Sequence, residues 1–434
     1  MSLAPHCAIP CHVDDDDSTH LLPKSISLSS QLSLPSLRSL DSCAETLPCS
    51  LHRCIATLRA HSSYVSAIAV HGESVYSGSP DQEIRLWPCV HLESASSSSS
   101  SSFTPRTDHL TSFTVAAAKS PVKSLVVAGD NLFSSHQDGK ICVWQISRRE
   151  RQHCKLKAVL PTQKDRFLSL LVPENYVQVR RHKKCTWVHH VDAVSGLAVS
   201  HDGALLYSVS WDRALKVWRT SDFKCMESVA GAHQDAINAV AVSRDGHVYT
   251  GSADARINVW WRGGDGGTKH SLVQTLERHR SAVNALALSA DGSVLYSGAC
   301  DRSVVVWEGG GGRMEAAGAL RGHRRAILCL AAVGGVVCSG SADRTVRVWR
   351  RGVLEKGCYR CLAVLEGHGG PIKSLTAAPV VDEGSRTESS CGLGGSSSSS
   401  SCLVLSGDLE GEIKVWRVSI PPPPPLPPVE GNIC

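Results

Sequence analysis

Seven hydroxyl side chains recur along this chain, each at a fixed distance from an acid and a tryptophan. They are Ser77, Ser134, Ser208, Thr250, Ser297, Ser339 and Ser406. Each precedes by ten residues one of Trp87, Trp144, Trp218, Trp260, Trp307, Trp349 and Trp416. Four residues after each hydroxyl stands an acid: Asp81, Asp138, Asp212, Asp254, Asp301, Asp343 and Glu410. Histidine opens six of the seven units, at His61, His190, His233, His279, His323 and His368, and Ala118 takes that slot in the second. Serine, histidine and aspartate are the residue types of a nucleophilic triad. A hydrolase needs one such set, open to substrate. Six copies with a tryptophan in step point to packing instead. A buried indole N–H needs an acceptor, and a hydroxyl can accept it and donate onward to imidazole. A carboxylate can hold the other ring nitrogen. Losing one partner from such a buried chain costs roughly 1–3 kcal/mol.

Other chemistry is poorly supported. The glycine runs Gly263–Gly267 and Gly309–Gly312 precede no helix, so they form no phosphate cradle, and no HExxH or P-loop spacing occurs. Cys358-Tyr-Arg-Cys361 is a lone CxxC and reads as a strand entrance. His6, Cys7, Cys11 and His12 cluster too tightly to make a convincing metal loop. The chain is therefore expected to be no enzyme and to use no cofactor or metal.

The elements that must position these residues are short and β-rich. One unit runs Gly322-His323, Ala326–Ala331, Val336–Ser341, Asp343-Arg344 and Thr345–Trp349, which reads as strand, turn, strand, turn, strand. A further strand fits before each histidine, as in Cys361–Leu365 before His368. A four-stranded sheet cannot bury both faces alone, whereas seven packed radially can. A period near forty residues is that of such repeat architectures.

On the recurring Ser–Asp–Trp–His set, the units resemble WD-repeats and the chain resembles a seven-bladed β-propeller, over about Cys54 to Trp416. No repeat tryptophan is followed by Asp, which departs from the pattern. Ala118 and Glu410 mark blades two and seven as the weaker ones. Within this class the chain resembles the plant JINGUBANG-like group. That resemblance rests on Ser33–Leu37, Tyr176–Lys184, Ala193–Val199 and Ser208–Asp212. It implies a non-enzymatic regulatory scaffold of nucleus and cytoplasm that binds a transcription regulator.

Composition agrees with one large all-β domain: 434 residues, 42% hydrophobic and 5% aromatic. No apolar run is long enough to span a membrane, and the first twenty residues lack the makings of a secretory signal. The 18 cysteines then read as reduced thiols, several inside strands at Cys142, Cys329 and Cys338. Residues 1–53 hold three basic and six acidic side chains and 418–434 only Glu430, so the repeat region is more basic than the overall +5.

Three regions follow: a disordered leader over 1–52, the propeller over 53–418 and a Pro-rich tail over 419–434. The leader's Leu28–Leu40 stretch, with leucines among serines, is the candidate for a phosphorylated docking motif or an arm packed on the propeller. Proline supplies no ladder donors, so the tail cannot complete blade seven. The strand Cys54–Leu58 has no blade before it and is expected to close the ring.

Let a to d name the strands of a blade, with histidine just before a and the acid turn between b and c. Insertions 88–109 and 145–182 then read as c–d connections, and 379–401 as an a–b connection. Lys183–Val188 is expected to be strand d of blade two, and Gln163–Leu171 a short helix. Every long insertion would fall on one face, leaving short turns on the other. On that short-turn face, the WD-repeat pattern puts Tyr64, Lys119, Trp211, Arg213, Gln234, Arg280, Arg302, Arg324 and Arg344 around the channel. Arginine and aromatic anchors suit a protein partner, acidic or phosphorylated, bound by a monomer. Alternatives are nucleic acid on the basic rim, or a role as substrate receptor of a ubiquitin ligase. The basic clusters Arg148-Arg149 and Arg180–Lys184 read as a nuclear localisation signal, a phosphate contact or a solvated loop.

Overall fold

In a computed structural model of the chain, the residues described are 37–40, 51–59, 61–88, 112–147, 153–163, 165, 176–180, 183–263, 269–352, 358–380 and 400–421. They form seven four-stranded antiparallel sheets and one hairpin. The first strand is β1 (His52–Arg59). Blade one is β2 (Ala67–His71), β3 (Ser74–Gly78), β4 (Glu83–Pro88) and β5 (Phe113–Ala117). Blade two is β6 (Val122–Ala128), β7 (Asn131–His136), β8 (Ile141–Ile146) and β9 (Cys154–Leu160), followed by the hairpin β10 (Tyr176–Arg180) and β11 (Lys183–Thr186). Blade three is β12 (Val194–Val199), β13 (Leu205–Ser210), β14 (Leu215–Arg219) and β15 (Cys225–Val229). Blade four is β16 (Ile237–Val242), β17 (Val248–Ser252), β18 (Arg256–Arg262) and β19 (His270–Glu277). Blade five is β20 (Val283–Leu288), β21 (Val294–Ala299), β22 (Val304–Gly310) and β23 (Arg313–Leu320). Blade six is β24 (Ile327–Val333), β25 (Val336–Ser341), β26 (Val346–Arg351) and β27 (Tyr359–Leu365). The last three strands, β28 (Ile372–Pro379), β29 (Ser400–Asp408) and β30 (Glu412–Ile420), are joined by β1.

The chain is thus an all-β seven-bladed propeller closed by its N-terminal strand. β1 pairs with β30 from His52↔Val418 to Arg59↔Glu412, and Arg59 adds an ion pair to Glu412 at 3.0 Å. Strand a of each blade touches strand a of the next, and β28 touches β2, so the ring is complete. The packing explains why single blades would not stand alone. The buried apolar side chains fall into seven clusters, each spanning the seam between two consecutive blades. Trp416 of blade seven, for instance, packs with Val346, Val348 and Leu365 of blade six.

Hydrogen bonds stitch the inner strands across most seams. Ser66 Oγ donates to Val122 O at 2.7 Å, Asn238 Nδ2 to Val283 O at 3.0 Å and Asn284 Nδ2 to Ile327 O at 2.8 Å. Ser374 Oγ donates to Val65 O at 3.0 Å across the closing seam. Ser195 donates likewise to Ile237 O, and the Cys329 thiol to Ile372 O.

Two expectations need correction. Strand d of blade two is β9, which pairs with β8 through Ile141↔Leu160 and Gln145↔Lys155. Lys183–Thr186 is one arm of the β10–β11 hairpin, with Tyr176↔Thr186 and Gln178↔Lys184 in register. The c–d connection of blade two is therefore only residues 147–153. The longer insertion, 161–193, joins strand d of blade two to strand a of blade three, on the face expected to carry only short turns. Lys216 anchors its end by donating to Trp187 O and, at 2.5 Å, to Ser228 Oγ. Thr162 caps the start of a helical turn, accepting from Asp165 N at 3.2 Å; the rest of the expected helix lies outside the described residues.

The second correction concerns the leader expected to be disordered. Residues 37–40 are seated on the propeller, with Leu40 only 4% exposed. Residues 1–36 and 41–50, the serine run of 88–109, that of 379–401 up to residue 399, most of the Gly263–Gly267 run, Arg148 and Arg149, and the tail beyond 421 lie outside the described residues.

Candidate functional site

The repeated constellation forms a brace inside each blade. All seven indoles donate Nε1–H to the hydroxyl ten residues earlier, at 2.8–2.9 Å. In the five regular blades, histidine Nε2 lies 2.7–2.9 Å from that hydroxyl oxygen. Its Nδ1 lies 2.8–3.0 Å from the acid, as at His61–Asp81 and His233–Asp254. Each acid then binds the backbone. Asp212 Oδ2 also accepts from Val191 N at 2.9 Å, and its Oδ1 from Ala214 N at 2.9 Å. The hydroxyl-bearing residues, such as Ser77, Ser208 and Thr250, are 0% exposed. They are committed to neighbours and out of reach of a substrate.

The protonation pattern fits this polarity. Burial pushes the imidazoles of His61 and His190 below their ordinary pKa, against the pull of Asp81 and Asp212. Burial would raise the Asp212 carboxyl, but hydrogen bonds from His190, Val191 and Ala214 outweigh it and hold it at about 2. Asp81, Asp254, Asp301, Asp343 and Asp408 are also lowered, burial again being outweighed by their donors. A neutral imidazole donating Nδ1–H to a carboxylate satisfies every member.

Blades two and seven depart from the expected residues, and both are repaired from one position, two residues after the hydroxyl. Ala118 leaves no histidine before strand a of blade two. His136, at the end of β7, places Nε2 2.8 Å from Ser134 Oγ and Nδ1 3.0 Å from Ser120 O. Asp138, expected as the acid, turns outward to Lys140 at 2.5 Å. In blade seven the acid is Asp408, which holds His368 Nδ1 at 2.9 Å while Ser406 holds Nε2 at 2.7 Å. Glu410, expected in that role, is exposed. Alternation explains the rescue, because residues i and i+2 of a strand face the same side. Among the described residues, the one group of three possible metal ligands is His368, Asp408 and Glu412. Its His368–Asp408 pair is the blade seven brace itself.

The nine rim positions surround this scaffold on the d–a and b–c face. Gln234, Arg280 and Arg324 follow the histidines and donate backbone N–H to the brace acids at 2.9–3.1 Å, with side chains exposed. Arg213, Arg302 and Arg344 follow the acids and hold φ values of 67°, 68° and 69°. Their side chains are exposed too, as is Lys119. Tyr64 and Trp211 are half-buried and meet through a residue that the sequence reasoning missed. Lys123 Nζ lies 3.5 Å from Tyr64 Oη and 5.2 Å from the centre of the Trp211 ring. Lys123 is the second residue of a strand a, the position of Ser66, Ser195 and Asn238, so its place on the channel wall was readable from the repeat. The cysteines fit a structural role: burial raises the thiols of Cys142 to about 11 and Cys329 to about 12, and that of Cys338 further. Cys358 and Cys361 stand at the start of β27 and form no disulfide.

Comparison with known proteins agrees with this geometry. The family described as WD domain, G-beta repeat matches residues 52–88, 182–219, 223–260, 270–308 and 315–350. In those stretches the chain is similar to WD repeats. The matched stretches leave out blade two and strands a to c of blade seven, the two with displaced braces. The match at 182–219 also begins on β11 rather than on a fourth strand. A solved structure, the WD40 beta propeller domain of Doa1, superposes with a TM-score of 0.56 over 84% of this chain and 96% of that one, at 18% identity. An uncharacterized WD repeat-containing protein of Schizosaccharomyces pombe is 39% identical over 75 residues, 17% of this chain. The human kinesin-like protein KIF21A is 30% identical over 139 residues, 32% of this chain. The aligned parts span only 14% and 6% of those two relatives. Among the described residues no helix is long and apolar enough to cross a membrane.

Proposed function

We propose that this WD-repeat propeller is a regulatory protein-interaction scaffold. Its d–a and b–c face binds an acidic or phosphorylated segment of a partner protein. The supporting observation is the identity of the residue after the acid turn. The left-handed conformation there favours glycine, and blades two and seven use Gly139 and Gly411. The other five blades hold the same left-handed φ without glycine, at Gln82, Arg213, Ala255, Arg302 and Arg344, so three of them place arginine at this turn, and Arg302 and Arg344 follow the acids that bind Arg280 N and Arg324 N. Guanidinium groups suit carboxylate and phosphate recognition. In the JINGUBANG-like resemblance, the partner is a transcription regulator and the setting is nucleus and cytoplasm.

The deciding experiment is affinity capture with wild type and with the triple variant Arg280→Ala, Arg324→Ala and Trp211→Ala. Loss of captured partners, with an unchanged melting temperature, supports the face; retention of every partner rejects it. Retention on RNA or DNA that falls steeply with salt, and is lost in the same variant, would assign the rim to nucleic acid instead.

A further inference from the structure

The outer strands carry a second stitch, and one seam makes it with a borrowed residue. In blade three, Glu227 lies opposite Val217, the residue before Trp218. Its carboxylate accepts the N–H of His270, on strand d of blade four, at 2.8 and 3.1 Å. In blade four, Gln274 holds the same position opposite Val259. It accepts from Met314 N at 2.9 Å and donates to Met314 O at 2.9 Å, on strand d of blade five. In blade five this position, opposite Val306, is Gly318, which has no side chain to give. The N–H waiting on blade six is that of Tyr359, placed as His270 and Met314 are. It donates instead to Leu40 O, in the leader, at 3.1 Å.

The leader segment completes that seam as an added strand. Leu40 N donates to Ala319 O and Ala319 N to Arg38 O, both at 3.0 Å, in a parallel bridge at Ser39↔Ala319. Arg38 Nε donates to Ala317 O at 3.0 Å. The Leu40 side chain enters the cluster shared by blades five and six, with Val306, Val337, Trp349 and Tyr359. Leu37 packs on the neighbouring cluster. A Cβ at Gly318 would stand 2.6 Å from Leu40 Cδ2 and Cγ and 2.9 Å from Arg38 O. Its three nearest obstacles all belong to the arm, so the missing side chain is the space that the leucine fills.

We propose that the seam over Gly318 is a docking slot for an extended Leu-x-x-Leu segment. The chain's own Leu37–Leu40 holds it at rest, and a partner segment of the same chemistry takes it when the arm leaves. Strand addition at a sheet edge, with pockets for alternate side chains, is a general mode of peptide capture. The cis contact is small, two leucines and a few hydrogen bonds. Because the arm is covalently joined to the propeller, its contact is intramolecular, at an effective concentration on the order of millimolar. A partner segment then competes with the arm without unfolding a blade. This slot lies on the outer edge of the propeller and does not rest on the arginine rim.

The test uses the full chain and a fluorescent peptide spanning residues 34–41. Wild type, with its slot filled, should bind the peptide weakly. Leu40→Asp, which releases the arm, should bind it at least tenfold more tightly. Adding Gly318→Gln, which supplies the stitch that Gln274 makes in blade four, should abolish that gain. Gly318→Gln alone should melt close to wild type, and its Arg38 should be cut faster by trypsin. Equal binding by wild type and Leu40→Asp, no binding by either, or binding that survives Gly318→Gln would overturn the slot.

Discussion

The five regular blades and the two irregular ones reach the same end by different residues. In the regular blades, histidine enters from the d–a connection and the acid from the b–c turn, so one brace ties strands b and c to both connections. Blade two gives up both outside contributions. His136 comes from strand b itself and satisfies its second nitrogen on a backbone carbonyl. Blade seven gives up only the acid, and Asp408 draws the carboxylate back into strand b. The indole–hydroxyl bond is kept in all seven. The invariant part of the brace is thus the one between adjacent strands, and the part reaching into turns can be reassigned wherever an i+2 side chain faces the same pocket.

Blade seven differs most in how it is completed, and the largest effect is expected there. Deleting residues 1–60 removes β1 together with the Leu37–Leu40 arm and leaves β30 with an open edge, so the ring should lose its cooperative melting transition, whereas deleting 1–50, which removes the arm but not β1, should keep it. Deleting 422–434 should leave the melting temperature unchanged. Equal melting temperatures for the 1–60 and 422–434 truncations would show that β1 is dispensable.

Single substitutions separate the two kinds of brace. Asp408→Ala strands the His368 Nδ1–H and the N–H groups of Glu410 and Glu412, and should cost roughly 2–3 kcal/mol. Glu410→Ala should cost under about 0.5 kcal/mol. In blade two, His136→Ala should cost roughly 1–3 kcal/mol by denaturant unfolding, and Asp138→Ala much less. If the residues at the repeat's nominal acid positions proved the costlier pair, the reassignment would be wrong.

A transplant sharpens the same point with a smaller effect. Replacing Ala118 by His and His136 by Ser gives blade two the regular histidine and the serine found at Ser79, Ser210 and Ser252. Stability should return to within about 1 kcal/mol of wild type, with Asp138 now drawn inward. Additive loss from the two changes would mean that blade two's turns no longer permit the regular arrangement.

These differences mark what the chain disclosed unaided. The indole–hydroxyl spacing was legible because two paired strands and a tight turn fix it locally. The seven-blade count followed from the same spacing, and closure by Cys54–Leu58 from a fourth-strand pattern with no blade before it and a proline tail that cannot finish blade seven. Asp408 and His136 were overlooked because a pattern of offsets shows which positions are filled, not which side chains share a pocket. The strand d error in blade two has another cause. Cys154–Leu160 and Lys183–Val188 are both plausible strands, and only pairing with β8 decides between them. Closing the short loop from Ile146 costs less entropy than spanning to Lys183. The arm was least legible, because a leucine among serines acquires meaning only from a glycine far along the chain. The rim positions could be listed from the repeat, and the place of Lys123 was readable in the same way, but that it joins Tyr64 to Trp211 emerged only when three blades were brought together.

The smallest expected effect is in pH, and it again divides the blades. The imidazoles of His61, His136 and His190 are lowered in the folded state, chiefly by burial. A lowered histidine contributes stability that is fully present above its unfolded pKa of about 6.5 and is lost as pH falls through the folded value. The brace carboxylates are lowered too, so their contribution is present above about 3.9 and lost below it, near 2 for Asp212. Melting temperature should therefore fall gently below pH 6.5 and steeply below pH 4. His61 and His190 face carboxylates that favour their protonated forms, whereas the ring of His136 bonds to a carbonyl. Part of the gentle step should then belong to blade two. Removing it with the Ala118→His and His136→Ser pair should flatten the profile between pH 6.5 and 5. An unchanged slope there would place the titration in the other blades and weaken the contrast between the two braces.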